Sequence, residues 1–101
     1  MLVNDTTAYI GVYLVKLACP WVKSLKEKRS LVKPIAEKLK NRFPVSVARL
    51  DGLDRLDWEV IGITAISSDP VWLRTMLNRV DEVIAASPCD IAESSIEVEM
   101  W

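Results

Sequence analysis

Residues 23–43 read KSLKEKRSLVKPIAEKLKNRF, and their pattern predicts one amphipathic helix. At 100° per residue one side of this helix is apolar, and it carries Leu25, Val32, Ile35, Ala36, Leu39 and Phe43. Ser24 is a good N-cap, and Glu27 three residues later completes the pattern of a capping box. Pro34 projects almost opposite the apolar side, where a bend away from its lost hydrogen bond is tolerable. We therefore predict one bent helix, with a break before Pro34 as the alternative.

The same stretch holds most of the chain's positive charge. Residues 23–42 contain eight of the 13 Lys and Arg residues and two of the 14 acids, a net charge of +6. The whole chain carries −1, so the remaining residues carry −7. This asymmetry makes the helix the candidate binding surface of the chain.

Four of these cations fall within about 60° of one another on one flank of the helix. We call them the cation stripe: Lys26, Arg29, Lys33 and Lys40. Lys38 and Arg42 lie on the other flank, and Lys28 tilts towards the core side, where it is expected to snorkel or to pair with an acid. A stripe of four cations can track the phosphates of a nucleic acid. The alternative is a solubilising surface, balanced by the acidic strands of the same protein or of a dimer mate.

Four strands and a second helix are predicted for the rest of the chain. The strands cover residues 8–18, 45–50, 58–67 and 91–100, and the second helix starts at Pro70, after the N-cap Asp69, and ends near Ala86. The order β-α-β-β-α-β predicts an α+β, ferredoxin-like sandwich. Its antiparallel sheet has the strand order 4-1-3-2, with two helices on one face. We expect a single domain over residues 1–101, with a loose start at residues 1–7.

The two central strands are apolar on both faces, whereas two helices can cover only one face of a sheet. The uncovered face is expected to show several of five apolar residues, or the opposite set on the same strands: Tyr9, Tyr13, Val15, Ile61 and Ile63. An exposed apolar patch usually marks an interface, and an antiparallel homodimer is the simplest closed arrangement. The last strand has one polar face, which is typical of an edge strand with a solvated side.

The composition argues against an enzyme and against a metal or cofactor site. The chain has no histidine, so it lacks the usual general base and the commonest metal ligand. No glycine-rich phosphate-binding loop is present. The acidic turn formed by Asp51, Asp54, Asp57 and Glu59 resembles a calcium loop only loosely, and we predict a solvated hairpin tip there.

The two cysteines, Cys19 and Cys89, are too few and too far apart in sequence for a zinc site. They lie at the adjoining ends of two antiparallel neighbours in the predicted sheet, so they are expected to meet. Two reduced, buried thiols are the favoured state in the cytosol, with a disulfide as the alternative. A cytoplasmic location without membrane partners is expected, because no apolar run approaches the roughly 20 residues that cross a bilayer and the first residues lack a basic n-region.

Three motifs carry a resemblance to a known family: SLKEKR at residues 24–29, VKP at 32–34, and RFPVSVA at 42–48. The chain is similar through them to the YlxP-like family, a bacterial domain of unknown function often encoded near ribosome-binding factor A. The resemblance extends from Ala8 over nearly the whole chain. It implies a ferredoxin-like fold, a cytoplasmic location and a link to translation or ribosome maturation, and it brings no catalytic residues. Relatives often carry a histidine-containing H-x-D-L-W-type hairpin segment, where this chain reads DGLDRLDW at residues 51–58.

Two functional hypotheses follow. The first is a non-enzymatic protein that binds RNA or the ribosome through the cation stripe. It would not stack bases on sheet aromatics as the RNA-recognition form of this fold does, because the required motif is absent. The second is a dimeric regulatory or interaction module, similar to ACT-like domains, that uses the open sheet face and takes a small ligand at its edge.

Overall fold

A computed structural model describes Val3 and residues 5–101 of the chain. The elements in chain order are β1 (Tyr9–Ala18), α1 (Leu25–Arg42), β2 (Ser46–Asp51), β3 (Trp58–Ser67), α2 (Pro70–Ala85) and β4 (Asp90–Met100). The strands form one antiparallel sheet in the order β2-β3-β1-β4. Both helices bury side chains in the same core cluster against one face of the sheet. The predicted ferredoxin-like sandwich is confirmed, since 4-1-3-2 is this strand order read from the opposite edge.

The loose start predicted for residues 1–7 falls partly on Met1, Leu2 and Asn4, which lie outside the described residues. Val3 and residues 5–7 are exposed and belong to no helix or strand. Neither helix of the described chain combines the length and the hydropathy that are needed to cross a membrane.

The first helix is continuous, so the alternative of a break before Pro34 is wrong. Pro34 lies inside α1 with its side chain exposed, on the solvent side as predicted. Ser24 is the N-cap, and its hydroxyl accepts a hydrogen bond from the Glu27 backbone N–H at 3.0 Å. The Glu27 carboxylate reaches back to the N–H of Lys23 at 3.5 Å, one residue before the N–H that a capping box uses.

The central strand β1 pairs with β3 from Tyr9↔Ser67 to Ala18↔Trp58. Its pairing with β4 is shifted between Lys16 and Leu17, which is the effect of a β-bulge. Helix α2 packs closely over β1 at Gly11, where a Cβ atom would lie 2.8 Å from Leu77 Cδ1. The glycine therefore permits the close approach of helix and sheet.

One hydrogen bond links α2 to the centre of the sheet. The Tyr13 hydroxyl donates to Asp81 Oδ1 at 2.5 Å. Burial raises the pKa of Tyr13 above its ordinary value, and the bond to Asp81 raises this pKa further. The phenol is therefore held in its neutral, donating form.

The five residues predicted on the open face lie on the other face, beneath the helices. Tyr13, Val15, Ile61 and Ile63 are fully buried, and Tyr9 is half-buried against them. Their prediction as interface residues is therefore wrong in placement, and the opposite set faces outwards. The error has a physical cause: both faces of β1 and β3 are apolar, so the alternation of side chains identifies two faces without indicating which one the helices cover.

Candidate nucleic-acid interface

The cation stripe is exposed along the full length of α1. Lys26, Arg29, Lys33 and Lys40 all have exposed side chains, and 14 residues of helix separate the first from the last, about 21 Å at 1.5 Å per residue. The opposite flank faces α2, since Arg42 lines a hollow together with α2 side chains. The stripe therefore lies on the side of α1 that faces away from α2.

In the part of the chain that the structure describes, no acid forms an ion pair with the stripe. Among the described residues the ion pairs within 4 Å are Lys28–Glu59 and Arg49–Glu59. All four cations of the stripe thus lie outside these pairs. Their charges remain available to a ligand, although water and salt screen them.

Lys28 belongs to the same SLKEKR segment but is buried, in agreement with its predicted position on the core side of the helix. Its ammonium group lies 3.2 Å from Glu59 Oε1. It donates hydrogen bonds to the carbonyls of Gly52 at 2.6 Å and Trp58 at 3.3 Å, and also to that of Arg55. These carbonyls belong to the β2–β3 hairpin, so Lys28 ties the loop to the first turn of α1.

Glu59 is the centre of this buried network. Arg49 donates to both of its oxygens, from Nε at 2.6 Å and from Nη2 at 2.7 Å, a bidentate pair. Burial by itself raises the pKa of the Glu59 carboxyl, but the contacts with Arg49 and Lys28 outweigh burial and hold this pKa below its usual value of 4.5. The pairing of Arg49 with Glu59 was not predicted from the sequence. The alternation of side chains along β2 and β3 places both residues on the same face of adjacent strands, and this pattern could have predicted the ion pair.

The acidic hairpin tip is only partly solvated. Asp51, Asp54 and Asp57 are exposed, whereas Glu59 is buried and committed to two cations. Among the described residues no three His, Cys, Asp or Glu side chains gather in positions to hold a metal ion.

The cysteines meet as predicted. Cys19 and Cys89 are both buried, and their sulfurs lie 3.0 Å apart as free thiols. Burial raises the pKa of the Cys89 thiol to about 12, with a further contribution from the neighbouring Cys19. Thiols of this kind are poor nucleophiles at neutral pH.

The open sheet face carries the apolar set that the prediction gave as its alternative. Val12, Leu14, Leu50 and Ile66 are between 37% and 67% exposed. A shallow hollow of about 220 Å³ lies among Val12, Leu14 and Leu50 at Gly62, where a Cβ atom would come within 2.6 Å of Leu50 Cδ1. The rim along β4 is acidic, with these exposed side chains: Glu93, Glu97 and Glu99.

These features define the class of protein: a ferredoxin-like α+β sandwich with one bare, apolar sheet face and a row of exposed cations on its first helix. The chain belongs to the family described as "Protein of unknown function (DUF503)", whose profile matches residues 10–98. It is 37% identical to "Uncharacterized protein YlxP" of Bacillus subtilis (strain 168) over 65 residues, which are 64% of this chain and 71% of that protein. The predicted YlxP-like resemblance is confirmed.

Two solved structures have a similar course of the backbone. The de novo designed protein Foldit4 shares 15% identity at a TM-score of 0.48, with 95% of this chain and 97% of that chain covered. A mutant of SnoaB, a cofactor-independent oxygenase from Streptomyces nogalater, shares 14% identity at a TM-score of 0.48, with 91% and 90% covered. Identities and scores this low carry no argument about what this chain does.

Proposed function

We propose that this protein binds structured RNA, of the ribosome in the first instance, through the cation stripe. The observation that carries the proposal is the contrast within one helix. Lys28 is neutralised and buried by Glu59, whereas Lys26, Arg29, Lys33 and Lys40 are exposed and form no ion pair among the described residues. Four exposed cations of α1 thus share one flank, while Lys38 and Arg42 are exposed on the other.

The geometry favours contact with the phosphate backbone. The stripe is a row about 21 Å long on one continuous helix, a length that matches a run of several phosphates along one nucleic-acid strand. Contacts of this kind give affinity without base specificity. Four such contacts predict a slope of about −3 to −4 in a plot of log K against log salt concentration.

Charge reversal tests the proposal directly. The double variant Lys26→Glu/Lys33→Glu is compared with the matched control Lys38→Glu/Arg74→Glu, which makes the same change in net charge at exposed positions outside the stripe. Fluorescence anisotropy with a labelled RNA hairpin at about 50 mM salt should show weaker binding for the stripe variant, and a salt slope reduced by about 2. Absence of RNA affinity in the unaltered protein would refute the proposal, as would an equal loss in both variants.

The exposed apolar residues of the sheet support a second candidate function, a homodimeric interaction module. We propose a second copy as the occupant of the open face, because Leu14, Leu50 and Ile66 expose apolar surface that a two-fold arrangement would cover. Sedimentation equilibrium at tens of micromolar should show a dimer. Leu14→Glu should dissociate it, while Leu53→Glu, a matched change at the exposed hairpin tip, should leave it intact. A monomeric unaltered protein at that concentration would exclude this candidate.

A further inference from the structure

A groove with a different chemistry lies between the two helices. It has a volume of about 580 Å³ and is formed where the C-terminal end of α1 faces one side of α2. The side chains that give it its character are Arg42, Phe43, Trp72, Thr75, Arg79 and Glu82. It lies on the flank of α1 opposite the cation stripe, so it is a separate surface.

Two guanidinium groups line this groove from different helices. Arg42 and Arg79 are both exposed, and neither belongs to the ion pairs found among the described residues. The Arg42 guanidinium lies over the Phe43 ring, 5.7 Å from its centroid, which restricts its orientation. Guanidinium groups bind phosphate oxygens in a bidentate manner. Glu82 is the acid in the lining, so the three charged groups of the groove sum to +1, which suits one phosphate group better than a chain of several.

An exposed aromatic side chain, Trp72, lines the same groove. The exposed fraction of its surface is 42%. An exposed indole and two arginines in one groove offer the two interactions by which proteins hold nucleotides without reading their sequence, namely base stacking and phosphate contact.

We propose that this groove binds a nucleoside 5′-monophosphate. The base stacks on the Trp72 indole, and Arg42 and Arg79 hold the phosphate. The same chemistry is presented by a free mononucleotide and by an unpaired nucleotide of an RNA chain. The groove does not share residues with the stripe, so this proposal does not rest on RNA binding there.

Isothermal titration calorimetry with AMP tests the assignment. AMP should bind with a dissociation constant below about 1 mM, and adenosine and inorganic phosphate should each bind at least about tenfold more weakly. Trp72→Ala and Arg79→Gln should each weaken AMP binding at least about fivefold, whereas Arg74→Gln, an exposed arginine of α2 that lines a different hollow, should leave it unchanged. Circular dichroism of each variant verifies folding, and Arg79→Gln retains the test if Trp72→Ala does not fold.

The outcomes separate the ligand sources and the two proposals. If a five-residue oligoadenylate binds at least about tenfold more tightly than AMP and responds to the same variants, the ligand is a nucleotide within RNA; equal affinities identify a free mononucleotide. The stripe variant Lys26→Glu/Lys33→Glu should leave AMP binding unchanged, so failure of one site is distinguishable from failure of the other. Undetectable AMP binding, an affinity that neither Trp72→Ala nor Arg79→Gln alters, or tighter binding of ATP than of AMP would overturn the assignment.

Discussion

Replacing Lys28 by methionine tests whether the buried network holds the β2–β3 hairpin on the first helix. Lys28 is 1% exposed, and its ammonium group lies 3.2 Å from Glu59 Oε1 and donates to the carbonyls of Gly52 and Trp58 at 2.6 and 3.3 Å. Methionine has a similar length and no donor, so these acceptors lose their partner inside the protein. Breaking a buried ion pair costs about 3–5 kcal/mol. Because Arg49 still holds Glu59 in the variant, we expect the lower end, about 3 kcal/mol.

The loss is large against the total stability of a domain of this size, about 5–15 kcal/mol. Urea denaturation measures it directly, and thermal unfolding should show a fall in Tm of about 12–24 °C, at about 4–8 °C per kcal/mol. Lys26→Met is the matched control, because Lys26 lies two residues away and is exposed; it should change stability by no more than about 0.5 kcal/mol. If Lys28→Met destabilises the protein no more than Lys26→Met does, the network is not what holds the hairpin.

Three further predictions concern buried titratable groups. The pKa of Glu59 is lower in the folded state than its usual value of 4.5. Its contribution to the free energy of unfolding is therefore complete above about pH 4.5 and is lost as the pH falls through the pKa of the folded state. Glu59→Gln should flatten the acidic part of a plot of unfolding free energy, measured by urea denaturation, against pH. The Cys89 thiol, 1% exposed and with its pKa raised to about 12, should react with an aromatic disulfide reagent at pH 8 only after unfolding, and labelling of the native protein within seconds would contradict its burial. Tyr13→Phe removes the donor to Asp81 and should cost about 1–3 kcal/mol in chemical denaturation, whereas Tyr9→Phe, which lacks that bond, should cost less.

The residues of the SLKEKR motif have two different roles in the structure. Ser24 caps the helix and Lys28 fastens the hairpin, so both serve the fold. Lys26 and Arg29 are exposed and form no ion pair within 4 Å among the described residues, and they begin the cation stripe. The segment that marks the family resemblance is thus both a structural clamp and the start of the candidate binding surface.

The sequence-based prediction was accurate where a local signal exists. The N-caps Ser24 and Asp69, the six elements and their order all agree with the structure, because capping and hydrophobic periodicity depend on residues a few positions apart. The prediction of which residues lie on the open sheet face was wrong. Both faces of β1 and β3 are apolar, so the exposed set depends on which face the helices cover. The strand glycines do not resolve this, because Gly11 lies beneath α2 whereas Gly62 lies on the open face.

The amino-acid sequence by itself determined the fold class, the strand order and the exposed flank of α1, since helix periodicity and the handedness of crossovers leave few alternatives. Only the tertiary structure decided which charges are free. Lys28 and Arg49 are neutralised because a strand brings Glu59 between them, and Arg42 and Arg79 share a groove because two helices pack side by side. Such groupings join residues that are distant along the chain, so they depend on how the elements pack rather than on any local pattern.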